Sequence, residues 1–217
     1  MFAPIPTDRL VRRWAQLVAG LVAFGVGLAL MFVADLGLPP WDVLHEGIAE
    51  RVGLPVGTII SLVGALMVLV MIALREPLGL GTLLNVLVIG PVVDLTMWLL
   101  GDPTSMALRV GYLVAGPLVV GLAGGLYLGA DMGAGPRDGT MTALGRRGLR
   151  IAYARFAVEA AAFFGGLALG GTAGAGTVWF LVAIGHATEW SVNRFVIVGA
   201  DGSNRTVALS HQDKAAG

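Results

Sequence analysis

The chain has 217 residues, 56% hydrophobic and 13% charged, with no cysteine and a formal net charge of zero. Soluble domains carry about 25% charged residues, so this deficit, together with a mean hydropathy of +0.82, marks an integral membrane protein. Dispersed basic residues at zero net charge exclude a nucleic-acid interface, and the lack of cysteine excludes disulfides and thiolate metal sites.

Residues 1–13 form a short polar leader with Arg9, Arg12 and Arg13. An apolar run over 14–34 is the first expected span. A positive start before an apolar run also resembles a signal peptide, but this run is too long for one and its counterpart lies inside the chain. The stretch Ala34-Asp35-Leu36-Gly37-Leu38-Pro39-Pro40-Trp41-Asp42 follows, and it returns as Ala130-Asp131-Met132-Gly133-Ala134-Gly135-Pro136-Arg137-Asp138. Ala, Asp, Gly, Pro and Asp recur in the same places, where average usage gives about one coincidence. A helix is expected over 40–53, with Trp41, Leu44, Ile48 and Val52 on one face and Asp42, Glu46 and Glu50 away from it. Spans two and three are expected over 56–74 and 79–100, separated by a turn at Arg75-Glu76-Pro77.

The second copy begins after Gly101-Asp102-Pro103. Its spans are expected over 107–129, 151–170 and 176–193, with a basic motif helix over 137–148. Gly79-Leu80-Gly81-Thr82 matches Gly174-Ala175-Gly176-Thr177, and Asp94 then falls on Glu189. The tail over 201–217 is polar and expected to be disordered.

Two units, 14–100 and 107–193, of three spans each must enter the membrane from opposite sides. The expected fold is therefore all-α: six transmembrane helices in two inverted repeats, each with a short motif helix after its first span. Placing both termini in the cytoplasm puts nearly all basic residues inside, with Arg51 and Arg109 the exceptions.

The motif acids admit two readings. Gly37 and Gly133 can end their spans in the left-handed conformation, and Asp42 and Asp138 can cap the helices that follow. Alternatively the motif helices are re-entrant and point the positive ends of their dipoles at a substrate.

Leu36-Gly37-Leu38-Pro39-Pro40-Trp41-Asp42-Val43-Leu44-His45, followed by Gly79-Leu80-Gly81-Thr82-Leu83-Leu84-Asn85, resembles the YczE/YitT-type bacterial integral membrane proteins. The resemblance covers all six spans and is diffuse in the second copy, where Arg137 replaces Trp41. It implies a small multi-pass protein of the bacterial inner membrane and supplies no site residues.

Ionisable groups within spans are costly and mark function or a paired structural site. Asp94, Glu159, His186 and Glu189 are candidates for an ion or proton pathway, and Asp42, Asp138 and Asn85 for a substrate pathway. Arg155 and Glu159 are four apart and can form a structural ion pair. His186 and Glu189 have metal-ligand spacing but lack further ligands, so no metal or other cofactor is expected. Asp94 and Glu189, aligned by the repeat, are expected to share a polar path. The function expected is transport or export of a small molecule, proton-coupled through that pair, with alternating access between the repeats. The alternative is a non-catalytic scaffold or the substrate-binding subunit of a larger complex. No nucleophile–base arrangement is legible, so no enzyme is expected. The partners are the lipid bilayer, an unknown small molecule, and either further copies of the chain or another membrane protein.

Overall fold

A computed structural model describes residues 3, 5–145, 151–199, 202–204 and 206. They form α1 (Leu10–Ala34), α2 (Pro40–Val52), α3 (Val56–Ala73), α4 (Leu80–Leu100), α5 (Met106–Gly129), α6 (Pro136–Gly145), α7 (Ile151–Ala168) and α8 (Ala175–Phe195). Among the described residues, α1, α3, α4 and α5 are long and apolar enough to cross a membrane.

The axis is the antiparallel pair α1–α5. Small residues let the two backbones approach: Gly20 lies against Tyr127 and Ala123, and Gly27 against Val120 and Gly116. Leu17, Leu21, Met31 and Val120 fill the seam and are almost fully buried. α4 packs on α1 and α8 on α5, α3 lies along α4 and α6, and α7 lies along α2. Large apolar side chains point away from the bundle, among them Leu66, Leu87, Trp98, Phe156 and Val178. A belt of that kind suits lipid, which solvates apolar surface that water would not.

Each end of the α1–α5 pair is tied by an arginine. Arg13, with no exposed side-chain surface, donates to Ala130 O at 2.9 Å and to both carboxylate oxygens of Asp8, with Asp131 at 4.0 Å. At the other end Arg109 donates to Ala34 O at 2.7 Å and to Asp35 Oδ2 at 2.6 Å. Arg13 and Arg109 stand in the same register as Ala34 and Ala130. The periodicity was there to be read, but arginines near span ends suggested only orientation.

Several expectations are corrected here. α1 begins at Leu10, inside the stretch 1–13 expected as a leader. Of the tail, only 202–204 and 206 are described, where Asn204 is buried and donates to Gly129 O and Ile197 O and Thr206 N donates to Asp131 Oδ1, and the rest of the expected disordered segment over 201–217 lies outside the described residues. The left-handed residue that closes α1 is Asp35, at φ 49°, not Gly37. Gly37 and Gly133 lie beyond the helix ends at φ 113° and 115°, in a region that favours glycine. There each lies against another backbone, Gly37 on Gly174 and Gly133 on Gly79. The two junctions share a hydrogen bond: Gly176 N donates to Leu36 O at 2.8 Å and Gly81 N to Met132 O at 2.7 Å.

The amphipathic reading of α2 holds only in part: Trp41 is buried and Glu50 exposed as that pattern expects, but Asp42 and Val52 break it. Asp42 and His45 are buried, while Val52 is 59% exposed. The pattern assumed water outside and an apolar interior. In a bundle solvated by lipid, polar groups gain more by turning inward.

Candidate functional site

α2 and α6 both start with proline at the first helical position, where the missing N–H costs nothing and the fixed φ already suits a helix. The helix therefore begins before the motif acid. Asp42 lies inside the first turn of α2, whose N-cap is Pro39, and no side chain caps that end. This overturns capping by Asp42. Its Oδ1 instead meets His45 Nδ1 at 2.9 Å, both groups nearly buried. Asp138 likewise falls in the first turn of α6, where its Oδ2 accepts from the Tyr127 hydroxyl at 3.2 Å.

These two helix starts line one cavity of about 650 Å³. Pro39, Trp41, Asp42 and His45 come from α2 and its approach, and Gly135, Pro136, Arg137 and Asp138 from α6 and its approach. Phe24, Ile60, Asn85, Tyr127 and Phe180 add walls from α1, α3, α4, α5 and α8, and among the described residues none of α7 takes part. An apolar, partly aromatic chamber with a few converging polar groups is the usual form of a small-molecule site. Helix starts aimed at it also bring their positive dipole ends.

Of the expected pathway residues, Asp42, Asn85, Asp138, His186 and Glu189 line this chamber. Asp94 and Glu159 do not. Asp94 instead accepts from Gly57 N at 2.7 Å, so it satisfies one of the free donors at the start of α3 from a neighbouring helix. His186 Nδ1 faces Val182 O at 3.1 Å, one turn back on its own helix. The Arg155 side chain, and with it the expected pair to Glu159, lies outside the described residues.

The two copies differ in one respect. At Gly90 a Cβ would overlap Gly57 O and Ser61 Oγ, so α3 is closed tightly on α4. At Gly185, the matching position, a Cβ would meet nothing within 4 Å among the described residues. α7 lies on α2 and α6, and among the described residues it has no comparable packing on α8. His45 was legible as a polar residue of the motif helix, but nothing in its spacing assigned it to the cavity.

Asp94→Ala should lower stability by about 1 kcal/mol, the usual cost of a lost cap, and Asp94→Asn by much less, since the amide oxygen still accepts. Melting curves in detergent read this. Equal losses for the two variants would mean that the carboxylate charge, not its acceptor geometry, holds α3.

An all-helical bundle with an apolar belt, helices of membrane-spanning length and a mostly apolar chamber with a few polar groups defines a multi-pass membrane protein. Its family follows from the sequence: residues 11–193 match the family of unknown function DUF6198, and the chain belongs to that family. It is 36% identical over 178 residues to an uncharacterized protein of Haemophilus influenzae, covering 82% of each chain. It is 32% identical over 189 residues to the uncharacterized membrane protein YczE of Bacillus subtilis, covering 85% of this chain and 87% of that one. The resemblance read from the first-copy motif therefore stands. No solved structure matches.

Proposed function

We propose that the chain is a secondary transporter of a small molecule, built as two inverted repeats that open a shared cavity in turn. The observation that carries this reading is the difference between Gly90, closed on α3, and Gly185, open to the chamber. One unit in two states over one cavity is what alternating access requires. The reciprocal bonds Gly81–Met132 and Gly176–Leu36 support the pseudo-two-fold relation. In this reading α7, of 18 residues, and α8, of 21 residues, complete six spans. At about 1.5 Å per residue both approach the roughly 30 Å of a hydrocarbon core.

With both termini in the cytoplasm of a bacterial inner-membrane protein, the α3–α4 contact closes the outer side and the gap between α7 and α8 opens inward. Asp94 is the latch of the closed side, through its bond to Gly57 N. Glu189 is its counterpart on the open side, facing the chamber. In the outward-open state the roles exchange: α7 closes on α8 with Glu189 near its start, and α3 leaves Asp94. Exchange of these two carboxyls between the chamber and a helix start would give the proposed cycle a route for coupling to an ion or proton.

The absence of cysteine makes the test clean. A His186→Cys variant should react with a membrane-impermeant thiol reagent from the cytoplasmic face. Ser61→Cys, whose hydroxyl is buried beside Gly90, should react slowly from the outer face, and faster when Asp94→Ala removes the latch. Equal Ser61→Cys rates with and without Asp94 would overturn alternating access and favour a static scaffold.

A further inference from the structure

The chamber's polar groups divide by whether they have partners. Asp42 is held by His45 and Asp138 by the Tyr127 hydroxyl. Trp41, only 9% exposed and lining the cavity, has a buried indole Nε1–H with no acceptor among the described residues. A buried donor without an acceptor is unfavourable, and a native structure keeps one for a reason. Trp41 occupies the second position of α2, and the matching second position of α6 is Arg137. Arg137 lines the same cavity, and no hydrogen bond or ion pair satisfies it within the described residues. The two equivalent positions thus both present unmet donors, each at the positive end of a helix dipole.

We infer that the chamber takes a small organic anion, a monocarboxylate with an apolar or aromatic body. Its oxygens are read by the Arg137 guanidinium and the Trp41 indole N–H, and its body rests among Phe24, Ile60 and Phe180. The inference rests on the transport reading of this cavity and names its substrate class. Charge counted alone would favour a cation, since Asp42, Asp138 and Glu189 line the space against one arginine. Hydrogen bonding decides otherwise. The motif carboxylates already have their partners, whereas a cationic ligand would leave both donors unmet and add a charge beside Arg137. A carboxylate satisfies both, and charge-assisted bonds to arginine are the stronger kind.

The test uses the full chain in detergent with three ring-bearing probes of similar shape: phenylacetate, phenylacetamide and phenethylamine. Phenylacetate should raise the melting temperature in a saturable way and change the indole fluorescence. The neutral amide should bind more weakly, and the amine should not bind. Arg137→Gln should weaken phenylacetate about 10-fold or more, as expected for a hydrogen bond to a charged group, and Trp41→Phe by about fivefold. Arg137→Lys, which keeps the charge on the same fold, should recover part of the loss. Binding of the amine instead of the carboxylate, or unchanged phenylacetate affinity in both Arg137→Gln and Trp41→Phe, would overturn the assignment. The thiol-accessibility result separates the two claims. Exchanging access without phenylacetate binding rejects the substrate class alone. Binding without exchanging access rejects transport and leaves an anion-binding protein.

Discussion

On the proposed alternating-access reading, Gly185→Leu should leave the melting curve almost unmoved and stop the cycle. Open space surrounds a Cβ at 185 among the described residues, so the side chain fits the observed state, and changes of that kind usually fall within about 0.5 kcal/mol. In the opposite state α7 must close on this face as α3 closes on Gly90. A leucine there holds the helices apart, and His186→Cys in this background should stay reactive from the cytoplasm under all conditions. Outer-face labelling of Ser61→Cys should fall by at least about tenfold, the effect of a bias of about 1.4 kcal/mol between states. Gly90→Leu should do the reverse. Its Cβ would run into the Gly57 carbonyl and Ser61, and overpacking of that kind costs about 1–3 kcal/mol. It should melt earlier and label faster at Ser61→Cys. A fixed structure would show no effect of Gly185→Leu on labelling, and that outcome would remove the alternating-access reading.

Arg13→Gln should cost about 1.5–3 kcal/mol, the range for a hydrogen bond to a charged group, because the bond to Ala130 O is lost while Asp8, 32% exposed, stays partly solvated. Its guanidinium is fully buried and holds Asp8, Ala130 O and the neighbourhood of Asp131 together. Asp131 in turn receives Thr206 N, so the loss should also loosen the C-terminal segment. Arg13→Lys should recover only part, because an ammonium cannot hold Asp8 bidentately while reaching Ala130 O. Arg109→Gln, the matching change at the other end, should cost about 0–1 kcal/mol, since that pair is exposed and screened. The side chains of Arg109 and Asp35 are 27% and 64% exposed. Detergent melting of the two glutamine variants measures the contrast, and equal shifts would mean that burial does not set the strength of these ties. The hydrogen bond from Arg13 also holds the Asp8 carboxyl below the usual carboxylate range. A lowered folded-state value gives stability that is present above the unfolded value and lost as pH falls through the folded one. The Arg13 tie should therefore weaken only under strong acid.

Length, composition and the doubled motif were enough to establish a helical membrane protein of this family with helices close to those seen. Hydrophobic runs of span length have few alternatives in lipid, and Pro and Gly mark where they stop. The motif positions were legible because a sharp junction admits few residue types: Gly37 and Gly133 need positive φ and a close backbone, and Pro40 and Pro136 start helices. The tertiary structure alone decided which side of α2 faces inward, because residue spacing gives a face but not its solvent. Only the fold could place Asp42 on His45 rather than at a cap, and Asp94 on Gly57 N rather than in the chamber. Those partners lie on another helix or one turn along, and the repeat that equates Asp94 with Glu189 says nothing about which copy is closed. Two copies with matching motifs carry the same local instructions. That Gly90 is packed and Gly185 open is a property of how the helices meet, and packing across a bundle depends on shapes brought together from distant parts of the chain.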